Sequence, residues 1–443
     1  MAMKPVRLAI HRTPAPAGRR ARAGATGRRT GAAAAAPPDL APAGVSWLRF
    51  GADTVYCGAG KAWGEFKDRA RRIRAAVSEH PEEVNPKRLH VVIQKGRLFQ
   101  QEHPDVSVLV DKGRYLLVEL EPKRARKMGK GDVPCFAIRP VDALKPTRSR
   151  GRHRVVFEDT GRAAAAAAPD PVIQGLVNKI GRPSYEADLT RLVSFNTRNS
   201  TTTQYAAACD FVDQQLAALG YTTSRQTIQV NGSTSQNVIA LRAGSGPPSR
   251  DVVLVSAHLD SINLEGNVNS PAPGADDDGS GSAGVIEIAR ALKDHQGRHD
   301  LKLVLFGGEE EGLFGSKRFV AKLTPASRTK IRAVVHMDMI GSLNSPSPTV
   351  LLEGATVSQS VIDGLAAAAA TYTGLAVQTS LHPFNSDHVP FIDKGVPAVL
   401  TIEGTDDANH NIHSPRDTLD RVNFDLALEI LRMNLAFVAQ ALG

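Results

Sequence analysis

The chain has 443 residues, 42% apolar and 22% charged, close to the globular average. That excludes fibrous and wholly disordered classes and gives length for two or three domains at roughly 100–200 residues each. No apolar run approaches the ~18 residues of a membrane helix, so the expectation is a soluble protein.

The formal charge of +9 is unevenly spread: residues 1–170 hold 33 Lys and Arg against 17 Asp and Glu, and residues 171–443 hold 21 against 28. The basicity belongs to the front of the chain, and the expectation is no nucleic-acid and no membrane partner. The same asymmetry favours intramolecular docking of the basic front part on the acidic remainder. The three cysteines, Cys57, Cys135 and Cys209, show no CxxC or metal-finger spacing, so a disulfide scaffold is not expected. A secretory signal needs about 7–15 apolar residues near the start. The stretch Val6–Ile10 is interrupted by Arg7, and the sequence alone therefore reads as cytoplasmic.

Residues 1–45 are rich in Ala, Arg, Gly and Pro without apolar periodicity, and are expected to form a disordered basic tail. Over 46–160 the pattern changes. EFKDRARRIRAAV reads as an amphipathic helix, followed by the strand-like runs LHVVIQ, VSVLV, YLLVEL, CFAIRPV and RVVFED. The DKGR turn between VSVLV and YLLVEL marks a hairpin. This is a small α+β domain of propeptide-like or accessory character. Residues 161–170 read as an Ala-rich linker.

From 171 to 443 strands and helices alternate. A helix over Gln204–Leu219 stops at Gly220, and the apolar runs DVVLVSA, LKLVLFG, IRAVVHMDM, TVLLEG and PAVLTIEG are separated by helical patterns at Ala283–Leu292, Gly315–Leu323, Ser358–Tyr372 and Phe424–Leu442. Continuous apolar strands between helices predict an α/β domain, a mostly parallel mixed sheet sandwiched by helices.

Polar residues follow the carboxyl ends of these strands, where reactive groups of such sheets collect. HLDS follows the first, EEE the second and Asp338 the third; GADDDGSG fills a Gly/Pro-rich loop, and NIHSPRDT follows the last. Histidines and carboxylates so placed are ligands for borderline or hard divalent metals. Two cations about 3.5–4 Å apart need a shared carboxylate and a separate His and carboxylate each, which this set supplies. An adjacent glutamate pair, Glu309-Glu310, can send one carboxylate to the metal and one to the reacting water.

The strings HLDS, PGADDDGSG, EEEGLFGS, HMDMIG and IHSPRDT resemble the co-catalytic zinc aminopeptidases of bacterial leucyl aminopeptidase type, over roughly Val172–Gly443. The resemblance implies a zinc exopeptidase fold, two Zn²⁺ per chain, and hydrolysis of apolar N-terminal residues such as Leu from peptides with a free N-terminus. It implies that His258, Asp277 and Asp338 hold one zinc and Asp277, Glu310 and His413 the other, with Glu309 as general acid/base and the Asp260 carboxylate orienting the His258 imidazole. Asp276 and Asp278 read as caps of the following helix. Ser386–His388 also resembles the family and stands where a loop could line the substrate pocket. The resemblance favours secretion. A single-zinc glutaminyl cyclase and a carboxypeptidase-type exopeptidase are the alternatives on this fold. The carboxypeptidases insert a lid before the last histidine, whereas here the 74 residues between Asp338 and His413 read as continuing α/β units.

Overall fold

The computed structural model describes residues 5–12, 40–128, 136–141, 155–162 and 168–443. They fall into two compact units: one takes the described residues of 1–94, 98–130 and 136–160, the other Lys95–Arg97 and 161–443.

The strands of the first unit are β1 (Arg7–Arg12), β2 (Ser46–Phe50), β3 (Asp53–Gly58), β4 (Val77–Glu79), β5 (Leu89–Gln94), β6 (Ser107–Lys112), β7 (Tyr115–Glu119), β8 (Phe136–Pro140) and β9 (Val155–Gly161). They pair in the orders β9-β2-β3-β1-β4 and β6-β7-β5-β8. The helix Gly60–Arg72 buries Trp63, Phe66 and Ala70, its apolar face at three- and four-residue spacing, against Ala9, Leu40, Val45 and Tyr56. The expected β6–β7 hairpin is present, with Asp111 Oδ1 accepting the N–H of Gly113 at 2.9 Å.

The expectation of a disordered tail over 1–45 fails at both described ends. Arg7–Arg12 is a strand whose Leu8 and Ile10 stand opposite Cys57 and Val55, and Leu40 is buried. Its partner lies some 45 residues further on, so the stabilising contacts are non-local and a six-residue window cannot show them. Residues 13–39 lie outside the described residues, as do 163–167 of the expected linker.

The second unit contains β10 (Thr222–Val230), β11 (Ser233–Arg242), β12 (Val252–His258), β13 (Asp300–Phe306), β14 (Ile331–Met337), β15 (Thr349–Glu353), β16 (Ala376–Ser380) and β17 (Ala398–Glu403), in the order β10-β11-β13-β12-β14-β17-β15-β16. β12 runs parallel to β13 and β14, β14 to β17, and β15 to β16; the pairs β10–β11, β11–β13 and β15–β17 are antiparallel. This is the expected mostly parallel mixed sheet. Helices cover it, among them Thr203–Ala218, Gly281–Leu292, Gln359–Tyr372 and Phe424–Leu442. Phe424–Leu442 begins where Asn423 accepts the N–H of Leu426, and it buries Leu428, Leu431, Leu435 and Val438 in a core drawn entirely from residues 173–442. Each such side chain contributes ~1.5–3 kcal/mol relative to exposure.

Candidate metal centre

The central parallel strands deliver the site. β12 ends on His258, β14 runs into Asp338, and β13 runs through Gly307-Gly308 into Glu309 and Glu310. The two glycines are dictated by space: a Cβ on Gly307 would lie 2.1 Å from the Tyr205 hydroxyl, and Gly308 has φ +68°. His413 lies on the loop after β17, and Asp277 on the loop before the helix Gly281–Leu292.

These residues meet. Asp277 turns one oxygen to each histidine: Oδ1 is 3.2 Å from His258 Nε2, and Oδ2 is 3.1 Å from His413 Nε2. Asp338 Oδ1 is 3.4 Å from His258 Nε2, and Glu310 Oε2 is 3.0 Å from His413 Nε2. Glu309 Oε2 stands 4.0 Å from His258 Nε2. Six buried atoms converge without making a hydrogen bond among the described residues: His258 Nε2, Asp277 Oδ1 and Oδ2, Glu310 Oε1, Asp338 Oδ1 and His413 Nε2. Buried polar atoms are almost always hydrogen-bonded, so a convergent set that is not fits a bound cation.

Asp278 also lies within coordinating distance of His258 and Asp338. Its oxygens are engaged by backbone, Oδ2 with the N–H of His258 at 3.1 Å and Oδ1 with those of Gly281 and Met339 at 2.9 and 3.3 Å. It caps the helix, whereas neither Asp277 oxygen makes a hydrogen bond among the described residues. Asp276, expected as a cap, instead ties loops together, accepting from Gly341 N–H, the Ser342 hydroxyl and Asn409 Nδ2.

His258 Nδ1 lies 3.1 Å from the Asp260 carbonyl and 3.8 Å from that residue's carboxylate. The carbonyl is the close partner, and donation to it leaves Nε2 as the lone-pair nitrogen aimed into the site. The Asp260 carboxylate accepts the N–H of Glu310 at 3.1 Å, steadying the glutamate pair instead. Ser386, Asp387 and His388 are fully buried behind Asp338 and not on an open pocket wall. The Ser386 hydroxyl donates to Asp338 Oδ2 at 2.7 Å, so it can only accept from His336 Nε2 at 2.9 Å; His336 Nδ1 then accepts from Ser256 at 3.1 Å. Burial pushes the His336 pKa well below the usual range, consistent with this neutral ring.

Two further residues are not singled out in the sequence: Arg198, which lies in no motif, and Asp417, which lies inside the IHSPRDT string. Arg198 is fully buried and donates to the carbonyls of Leu192, Leu259, Pro273 and Gly274, joining the loop after His258 to the loop before Asp277. Asp417 accepts the backbone N–H groups of Asp276 and Asp277 at 2.9 and 3.0 Å.

The electrostatics are those of clustered carboxylates. Burial alone would push the His413 pKa down, yet Glu310 and Asp277 hold it up at about 10. Burial pushes the Glu309 carboxyl well above its usual range, against Lys95 and His258 and together with Glu310 and Asp338.

Residues 237–438 match Peptidase family M28. The match lies within the second unit. The match supports the peptidase class expected from the sequence, and a relative from Pyrenophora tritici-repentis, 29% identical, is named a probable zinc metalloprotease. The chain is similar to leupeptin-inactivating enzyme 1 of Streptomyces exfoliatus, 34% identical over 251 residues, 55% of this chain and 53% of that protein. The chain thus spans about half the length of that relative. Leucine aminopeptidase 1 of Arthroderma otae is 26% identical, covering 65% of this chain and 83% of its own. Among solved structures, the LapA aminopeptidase of Legionella pneumophila superposes with a TM-score of 0.56 at 17% identity, over 80% of this chain and 98% of that one. A zinc aminopeptidase from Bacillus subtilis gives 0.53 at 16% identity, over 58% and 94%. At such identities the likeness is one of fold.

Proposed function

We propose that the chain is a two-zinc aminopeptidase that removes apolar N-terminal residues such as leucine from peptides. The observation that carries the reading is the split of the site around Asp277: one carboxylate oxygen faces each of two histidines, and each histidine has a carboxylate of its own, Asp338 or Glu310. His258, Asp277 and Asp338 would hold one zinc, and Asp277, Glu310 and His413 the other. The relatives named as leucine aminopeptidases support the preferred residue.

Bound zinc supplies Lewis acidity to the scissile carbonyl and lowers the pKa of the attacking water. Glu309, beside the ligands and engaged by none of the hydrogen bonds that fix Asp278 or Asp260, accepts the proton of that water and returns it to the departing amine. Asp338 and Glu310 keep the histidines in register, and the dense negative field favours a substrate bearing a free α-ammonium group. A single-zinc cyclase would leave one of the two donor groups without a partner.

The test is the metal content of the full chain purified without chelator, together with hydrolysis of a leucine anilide. Two zinc ions per chain are expected, with activity lost to a chelator and restored by Zn²⁺ or Co²⁺. One zinc with full activity would overturn the two-metal reading.

A further inference from the structure

Lys95 lies on the donor atoms of one metal group. Its Nζ is 3.2 Å from Asp277 Oδ2 and 3.9 Å from Glu310 Oε2, the same oxygens that face His413 Nε2. The residue is 6% exposed, and its ion pairs within 4 Å fall on these carboxylates, while its charge reaches Glu309 and Asp338 from farther off. The next two residues follow the same surface. Gly96, with φ +54°, stands where a Cβ would lie 3.9 Å from Ile412 Cδ1, and Arg97 Nη2 is 3.4 Å from Asp407 Oδ2. Lys95–Arg97 thus run along the loop that bears His413, with the ammonium group directed into the carboxylates.

A lysine is almost never fully buried unless paired, and here the pairing carboxylates are proposed metal ligands. The ammonium answers their charge but cannot coordinate the imidazole of His413. A divalent ion answers both, and it must first displace the lysine.

We propose that Lys95 is an internal competitor for the metal at Asp277, Glu310 and His413, so that this position loads only when the Lys95 ammonium leaves, whereas the position at His258 and Asp338 meets it at close range only through the shared Asp277, whose other oxygen faces His258. The inference rests on the two-zinc reading. A competitor that occupies the site in most molecules lowers apparent affinity by the fraction of molecules in which the site is open. The two zinc positions therefore differ in affinity, and the difference is set by a residue that is not a ligand.

The experiment is a zinc titration of the full chain and of Lys95→Met in a chelator-buffered series, read as bound metal and not as turnover. The second step should tighten about ten-fold or more and the first by clearly less, while Lys95→Arg, which keeps the charge, should remain weak. A second step of equal affinity in wild type and Lys95→Met overturns the proposal. Should Lys95→Met fail to fold, the wild-type chain supplies the second measurement: amine-reactive labelling followed by peptide mass analysis. Lys95 should be protected without zinc and should react once both positions are filled; protection in both states also overturns the proposal. Because neither readout uses hydrolysis, a tightened second step in a chain that cleaves no leucine anilide would sustain this inference and sink the aminopeptidase reading. Uptake of one zinc or none by both proteins would overturn the two-zinc reading and this inference with it.

Discussion

Asp417 accepts the backbone N–H of Asp277 at 3.0 Å, and through its other oxygen that of Asp276 at 2.9 Å, so one side chain holds both N–H groups of the loop that presents the Asp277 carboxylate. The loop cannot satisfy those N–H groups with water, since Asp276 and Asp277 are buried.

Asp417→Ala should therefore cost stability as well as metal. Each unsatisfied buried donor costs about 1–3 kcal/mol, and the two together predict a loss of several kcal/mol. Zinc affinity should fall on the order of ten-fold or more, because Asp277 no longer faces both histidines. Urea unfolding of the metal-free protein and zinc titration measure the two effects separately. Wild-type stability with weakened zinc binding would mean that another group holds the loop.

Glu309 and Glu310 are neighbours with different surroundings, since Glu310 lies 3.0 Å from His413 and Glu309 lies 4.0 Å from His258. Glu309→Gln is expected to retain both metals and lose hydrolysis on the order of 10²-fold or more, because the proton acceptor goes and the ligands stay. Glu310→Gln is expected to lose metal first. Metal analysis beside leucine anilide kinetics distinguishes them, and reversed phenotypes would exchange the two roles.

The hydroxyl of Ser386 holds Asp338 Oδ2, which leaves Oδ1 toward His258. Loss of a partner that orients a metal ligand typically costs 10–100-fold in affinity or activity. Ser386→Ala should weaken zinc at the His258–Asp338 position within that range and leave the other position little changed, as read in a two-step titration. An equal loss at both positions would point to a general packing defect.

Part of this site is legible in the sequence because DVVLVSA precedes His258, LKLVLFGG precedes Glu309 and Glu310, and IRAVVHM precedes Asp338, each at a strand end, whereas Asp277 and His413 stand on loops and are marked only by their motif strings. What escapes such a reading depends on contacts far apart in the chain. Arg198 spends its donors on four carbonyls, which no motif encodes, and the tautomer chain of Ser256, His336 and Ser386 joins three separate segments. The proximity of the Asp260 carbonyl to His258 Nδ1 is a matter of backbone direction, invisible in residue types. The β10–β11 hairpin has polar strands that hide its alternation, yet Asn231-Gly232, both at positive φ, is the turn signal that marks it.

Arg198 provides the last test. Its guanidinium is held among Asp417, Asp278, Asp260 and Asp277, although burial lowers its pKa, and every hydrogen bond it makes goes to a backbone carbonyl. A lysine carries the same charge but has one point of donation where arginine has a planar fork, so it cannot span the Leu259 and Gly274 carbonyls together. Arg198→Lys should therefore destabilise the metal-free protein by about 2 kcal/mol or more, given that hydrogen bonds to a charged group contribute ~1.5–3 kcal/mol each and are not additive. Because the same carbonyls fix the loops of His258 and Asp277, zinc affinity should fall at both positions and saturating zinc should recover part of the lost stability. Thermal unfolding with and without zinc measures this. Unfolding of Arg198→Lys at the wild-type temperature in both conditions would show that charge alone, and not the fork, secures the two loops.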